Sequence, residues 1–521
     1  MSGERPVTPL AGRAVKGAAW MIAWRMATRI LGLGSTLLLA HILVPADFGL
    51  VAMATVLAGA IDSIALIGLQ DALIRRASHD RALFDPAFAM QIIRGFVTAG
   101  LMAAAAWPAS LWFGEPRLFV VILVLSVATA LAGFENIAIV EFRRAMRFDR
   151  EFRLLLLPRL AQVVLTVALA LIWRNYWALV AGIVFGKAAR VAMTYAAHPH
   201  RPRFVLHRWR ELIHFSFWTW MSGMASMIWE RSDAFIVGPV LGSATFGAYV
   251  LAEEMAILPV TELIAPAVAA LYAAIALKRR EGGATFTMAF PLVAFLLMLI
   301  TPLAIGISAS SGYWVHGLLG PKWAAAQPLV SIFALASITA CVSYVCTTIL
   351  IAEGHVRDNF AVVAISAAVK ITLLAAVTTV THRPEIIAGV SISTNVLEAL
   401  LFTIRISRLG GVFGRAALGG IARTVIASAT TLAALHATGL AWVMPPTMPG
   451  STTLLTGLFV AAAAAILFGT VQLGLWRFAG QPAGPETRAL ETFGSMIARY
   501  RVRLRQTIGQ TIGQSLGRKG E

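Results

Sequence analysis

Leu43-Val-Pro-Ala-Asp-Phe-Gly49 recurs 198 positions later as Leu241-Gly-Ser-Ala-Thr-Phe-Gly247, with Leu, Ala, Phe and Gly kept in place. Each copy lies in a short connection between two long apolar runs, so sequence and position repeat together. Six runs separate the copies, an even number, so both units enter a membrane in the same direction. This reads as two six-helix lobes in parallel repeat, related by an axis along the membrane normal, around a central cleft. The competing reading is a Phe-Gly turn at a helix start, used twice.

Composition agrees with a membrane setting. Of the 521 residues 58% are hydrophobic and 13% charged, whereas a soluble globular chain carries about 25% charged residues. That excludes a disordered polyelectrolyte and a nucleic-acid binder with a densely basic surface. With a window of about 19 residues, apolar runs fall at Gly17–Leu43, Phe48–Leu69, Pro86–Trp107, Leu118–Val140, Leu154–Trp173, Trp177–Ala197, Leu212–Gly238 and Phe246–Leu277. Six more follow at Phe286–Ser308, Ala325–Ala352, Phe360–Val380, Glu385–Ile404, Gly419–Met444 and Thr452–Leu475. The expected fold is therefore an all-α polytopic membrane protein with fourteen transmembrane helices. Its parts are an N-terminus 1–16, lobes 17–203 and 204–405, two further helices within 406–477, and a tail 478–521.

The net charge of +18 is decided by location. Thirty-one basic residues fall on the side of the N-terminus, Arg423 being counted with the connection before the thirteenth run, and four fall on the other side. Lys and Arg accumulate in cytoplasmic loops, so both termini are expected in the cytoplasm. The tail spaces Leu490, Phe493, Ile497, Tyr500, Leu504 and Ile508 as one face of a basic helix, suited to an anionic lipid surface. Cys341 and Cys346 are five apart on one helix and read as small core residues.

Leu43 to Gly49 with Val51-Ala-Met-Ala54, then Gly68-Leu-Gln-Asp-Ala-Leu-Ile-Arg-Arg76, resembles the start of the bacterial polysaccharide flippases. These belong to the multidrug, oligosaccharidyl-lipid and polysaccharide exporter superfamily. Asp233-Ala-Phe-Ile-Val-Gly238 through Tyr249 is similar to their junction of seventh and eighth helices, and Leu319-Gly-Pro-Lys-Trp323 with Ala352-Glu-Gly354 to their tenth-helix region. The resemblance implies a flippase that carries undecaprenyl-pyrophosphate-linked oligosaccharide across the membrane by alternating access. It also implies membrane lipids as surroundings and polysaccharide polymerase machinery as a partner. A peptidoglycan-precursor flippase and a cation-coupled multidrug exporter are the alternatives.

Eight basic residues remain within the runs: Arg25, Arg29, Arg94, Arg159, Lys187, Arg190, Arg231 and Lys370. Ionisable groups at that depth face a wet cavity or a partner. Arg159, Lys187 and Arg190 lie where their side chains can snorkel. Arg25 and Arg29 are four apart on one helical face that Gly32 and Thr36 continue, and guanidinium forks suit pyrophosphate. The candidate cavity cations are Arg25, Arg29, Arg231 and Lys370. Arg25 and Arg29 alternatively pair with Asp62 or another buried acid, and Lys370 with Glu398. Asp62, Asp233, Glu262 and Glu398 are candidates for gating or for coupling to a proton or sodium ion. Glu230, Arg231 and Asp233 read as an outer gate or as a solvated helix end.

Other patterns lead nowhere catalytic. Gly182-Ile-Val-Phe-Gly186-Lys187 lacks the spacing of a phosphate loop and fits a close helix contact. Zinc-ligand and nucleophile-elbow spacings are absent. His198, His200 and His207 read as a solvated loop. Neither a resident cofactor or metal, nor a nucleic-acid partner, nor enzyme chemistry is expected.

Overall fold

The protein is described from a computed structural model covering residues 9–64, 73, 83–145, 147–207, 217–258, 260–264, 268, 275, 285–443 and 450–491. The tail face beyond residue 491 and the motif Gly68–Arg76, apart from Leu73, lie outside the described residues. In chain order the main helices are α1 Pro9–Ile42, α2 Pro45–Ile64, α3 Phe84–Trp112, α4 Arg117–Ala132, α5 Phe148–Trp173, α6 Trp177–Ala197 and α7 Phe217–Ala256. They continue as α8 Ala289–Ala309, α9 Ala326–Ala352, α10 Val356–Val380, α11 Pro384–Arg408, α12 Arg415–Ala437 and α13 Gly450–Phe478. No strand occurs among the described residues, and eleven runs among them are long and apolar enough to cross a membrane. Arg117–Ala132 is a shorter apolar helix.

Each expected run overlaps a helix, and the breaks have local causes. Pro45 opens α2, since a first-turn proline loses no intrahelical bond and starts with a helical φ. Arg174 ends α5 in the left-handed region at φ 51°, and Asn175 Oδ1 then accepts the Trp177 amide at 3.0 Å to start α6. The seventh and eighth runs form one helical stretch, α7, interrupted at Gly242, whose φ of 71° and ψ of 167° are non-helical. Gly242 is the 198-residue counterpart of Val44, where the first copy breaks between α1 and α2.

The two copies also touch each other reciprocally. A Cβ on Gly49 would collide with the Ser243 carbonyl oxygen, and one on Gly247 with the Pro45 carbonyl oxygen. Gly49 and Gly247 are counterparts at offset 198, and so are Pro45 and Ser243. The contact is therefore isologous, each side presenting the same surface to the other, as a local two-fold requires. Turn chemistry alone does not bring the two segments together, so the repeat reading stands. Only glycine permits backbone approach this close. Gly49→Ala and Gly247→Ala are each expected to lower stability by about 1–3 kcal/mol through overpacking, read as a fall in melting temperature of the purified protein. Wild-type melting in both would contradict this contact.

The Cα framework divides into two compact units. Unit 1 comprises Met1–Glu253, Val315–Leu329 and Phe360–Thr394; unit 2 comprises Glu254–Trp314, Val330–Asn359 and Asn395–Glu521. In unit 1, α5 packs on α1 and α6. Gly182 and Gly186 leave room on α6 for the Thr166 and Gln162 side chains of α5, which is the close helix contact that Gly-xxx-Gly implied. In unit 2, α8, α12 and α13 pack together, with Gly306 against Ala461. Arg423, counted in the sequence with the inner connection, is instead buried in α12. Its Nε and Nη2 reach Glu486 Oε1 and Oε2 at 2.7 and 2.9 Å, and Gln472 Nε2 donates to Oε1 at 2.9 Å.

Candidate functional site

The cation-bearing face of α1 lies in unit 1. Arg25 and Arg29 are half-buried there, and α5 runs beside them, with Phe152 and Trp20 ring centroids 4.9 Å apart. Further along, Arg159 Nη2 of α5 is 3.9 Å from where a Cβ on Gly32 would stand. Arg159 Nη1 donates to Gln162 Oε1 at 3.3 Å. Arg159 is exposed, as a snorkelling side chain is, and its guanidinium stands beside Gly32 on the helix that carries Arg25 and Arg29. Sequence reasoning missed this because Arg159 shares no local pattern with α1. The one available signal was Gly32, the residue without a side chain on that face.

Lys370 has a different partner from the one expected. Its Nζ is 2.9 Å from Asp233 Oδ2, and the two side chains are 6% and 7% exposed. Nζ also donates to the Trp229 carbonyl at 3.1 Å and stands 4.6 Å from the centroid of that indole ring. Ser391 Oγ is 3.5 Å from Asp233 Oδ2. Glu398 lies in unit 2, where Ser343 Oγ donates to its Oε2 at 2.7 Å. The alternative Lys370–Glu398 pairing is corrected accordingly: α7, not α11, supplies the counter-charge. Trp229, one turn before Asp233, and Ser391 are site residues that the sequence did not single out.

The remaining candidates are dispersed. Asp62 is bound by Arg94 Nη2 at 2.6 Å, which corrects the alternative pairing of Asp62 with α1. Arg231 and Glu230 are exposed, whereas Asp233 is buried, so the three do not form one exposed cluster. Glu262 sits in the wide helical turn Val260–Ile264 of unit 2, accepting from Thr261 Oγ1 at 3.1 Å. Of the candidates, the structure joins Lys370 and Asp233 directly.

Polar groups near the helix ends of unit 1 are cross-linked rather than merely solvated. Arg190 Nε is 2.8 Å from Glu135. His198 Nε2 is 3.1 Å from Glu141 and His200 Nε2 is 3.5 Å from Asp85, so the reading of these two histidines as solvated is corrected. Lys187 is exposed. Between α3 and α4, Glu115 accepts from Arg117 Nε and Nη2, both at 2.8 Å. The Arg117 guanidinium holds this carboxyl below the ordinary glutamate range. Among the described residues no group of three or more His, Cys, Asp or Glu is placed to hold a metal ion.

Membrane-length apolar helices, an internal repeat and cations within the spans define a polytopic membrane transporter. The profile of the family described as "Polysaccharide biosynthesis protein" matches residues 38–328, and the chain belongs to that family. It is 24% identical over 336 residues to the succinoglycan biosynthesis transport protein ExoT of Rhizobium meliloti (strain 1021), covering 63% of this chain and 68% of the relative. It is 19% identical over 356 residues to the lipopolysaccharide biosynthesis protein WzxC of Escherichia coli (strain K12), covering 67% and 72%. Among solved structures, the lipid II flippase MurJ in an inward closed conformation superposes with a TM-score of 0.67 at 13% identity, over 88% of this chain and 99% of that one. The chain therefore has the MurJ fold.

Proposed function

We propose that this protein moves an undecaprenyl-pyrophosphate-linked oligosaccharide, the repeat unit of a polysaccharide, from the inner to the outer leaflet of the bacterial inner membrane by alternating access. The observation that carries this reading is the face of α1, where Arg25 and Arg29 are followed by Gly32 with the Arg159 guanidinium beside it. Guanidinium groups bind phosphate oxygens through paired donors, and the lipid tail can stay in the membrane while its charged head is held in a wet cavity. Membership of the polysaccharide biosynthesis family supports a substrate on the route to a polysaccharide.

Around this core we place fourteen crossings with both termini cytoplasmic, lobes at 17–203 and 204–405, and polymerase machinery as a downstream partner. The protein makes and breaks no covalent bond. Coupling to a proton or sodium ion is part of the proposal, with Asp233 and Lys370 at the polar centre of unit 1.

Deletion in the source bacterium tests the reading. Undecaprenyl-linked sugar is expected to accumulate while surface polysaccharide disappears. Accumulation of the peptidoglycan precursor with loss of viability would favour the alternative that the MurJ fold suggests. Drug hypersensitivity with normal polysaccharide would favour a multidrug exporter.

A further inference from the structure

Residues 315–329 join two stretches of unit 2, yet they belong to unit 1: the chain leaves unit 2 after Trp314 and returns at Val330. Their conformation is built for this excursion. Val315–Leu319 form a wide turn, Gly320 takes φ 89° and ψ 172°, and Pro321–Trp323 form a tight helical turn. A side chain at Gly320 would be strained at that φ.

The excursion ends on the C-terminal turn of α1. Lys322 Nζ donates to the carbonyls of His41 at 2.9 Å and Leu43 at 2.6 Å, and Trp323 Nε1 donates to the Ala40 carbonyl at 2.9 Å. The last carbonyls of a helix have no intrahelical donor, and a cation there is favoured by the helix dipole. Trp323 and Leu319 are fully buried, and the Trp323 ring meets Phe48 edge-on at 5.3 Å. Asp47 acts on the Lys322 ammonium electrostatically. Three donated bonds and a buried indole therefore grip the end of the same helix that carries Arg25 and Arg29. From Arg29 to Ala40 is eleven residues, about 17 Å of rigid helix.

We propose that residues 315–329 are a latch on α1: Lys322 and Trp323 hold the end of that helix so that displacement of α8 and α9, which flank the latch in sequence, is delivered to α1 and its cations. Lys322 and Trp323 are positioning residues, and the inference rests on the transport reading given above. An ordinary connection would need neither a glycine-dependent turn nor three donors aimed at one helix end.

The test uses the full-length protein in vesicles with a nitroxide on Gly34→Cys. A Cβ at Gly34 meets nothing within 4 Å, and Cys341 and Cys346 are buried. In the otherwise wild-type protein, undecaprenyl diphosphate is expected to shift the nitroxide's mobility. Lys322→Met and Trp323→Phe should each reduce that shift at least fivefold and slow transfer of lipid-linked oligosaccharide at least tenfold. Both should bind undecaprenyl diphosphate within twofold of wild type, and Lys322→Arg, which keeps a cation and donors, should restore the shift. A full shift in both variants would overturn the latch. So would loss of binding and transfer together in step with loss of folded protein, which marks simple fold support. Failure of the transport reading is distinct: the latch-intact protein then shows the shift but transfers no lipid.

Discussion

Replacing Arg25 and Arg29 together by alanine is expected to lower transfer of lipid-linked oligosaccharide by two orders of magnitude or more. Hydrogen bonds to charged groups contribute about 1.5–3 kcal/mol each, and about 1.36 kcal/mol is tenfold in rate. Losing one such interaction from each arginine therefore corresponds to roughly a hundredfold to ten-thousandfold. The protein should still fold, because both side chains are half-buried rather than central to a core. Arg25→Lys with Arg29→Lys should recover part of the rate, since an ammonium supplies charge without the planar fork. The measurement is leaflet transfer of labelled undecaprenyl-linked sugar in vesicles at matched protein amounts. Wild-type transfer by the double alanine variant would remove the α1 face from the mechanism.

Breaking the Asp233–Lys370 pair on one side should be the most destabilising change in unit 1. Both side chains are nearly closed to solvent, so Asp233→Asn leaves an ammonium, and Lys370→Met a carboxylate, without its counter-charge. Removing one partner of a buried pair costs about 3–5 kcal/mol. The double variant Asp233→Asn/Lys370→Met removes both charges of the pair, leaves Glu253 as the remaining acid that acts electrostatically on this site, and should regain part of the loss. Thermal melting of the purified single and double variants reads this directly. Additive losses in the double variant would show that the two groups do not depend on each other.

The helices were legible because a membrane span needs about 20 consecutive apolar residues, a length written in consecutive letters from Trp177 to Ala197 or Ala326 to Ala352. The repeat was legible because Gly49 and Gly247 are fixed by backbone approach, which tolerates no other residue. Partners were not. Glu398 stood out as a partner for Lys370 because it lies on the neighbouring run in sequence, whereas the actual partner Asp233 is set by which helix packs alongside, information absent from local spacing. Arg159 was hidden for the same reason, since its relation to Gly32 exists only once α5 lies on α1. Arg423 was misplaced because its partner Glu486 lies 63 residues on, beyond α13.

The reciprocal contact at Gly49 and Gly247 bears on how such a chain diverges. A self-complementary edge is what two protomers of a two-fold dimer share, and here both protomers are halves of one polypeptide. A fused pair is freed from the rule that every substitution appears twice. Pro45 corresponds to Ser243, Asp47 to Thr245 and Val44 to Gly242, yet the two glycines at the shared edge are identical. The joint keeps its symmetry while the surfaces around it specialise, so one half can hold the arginines of α1 without the other having to copy them.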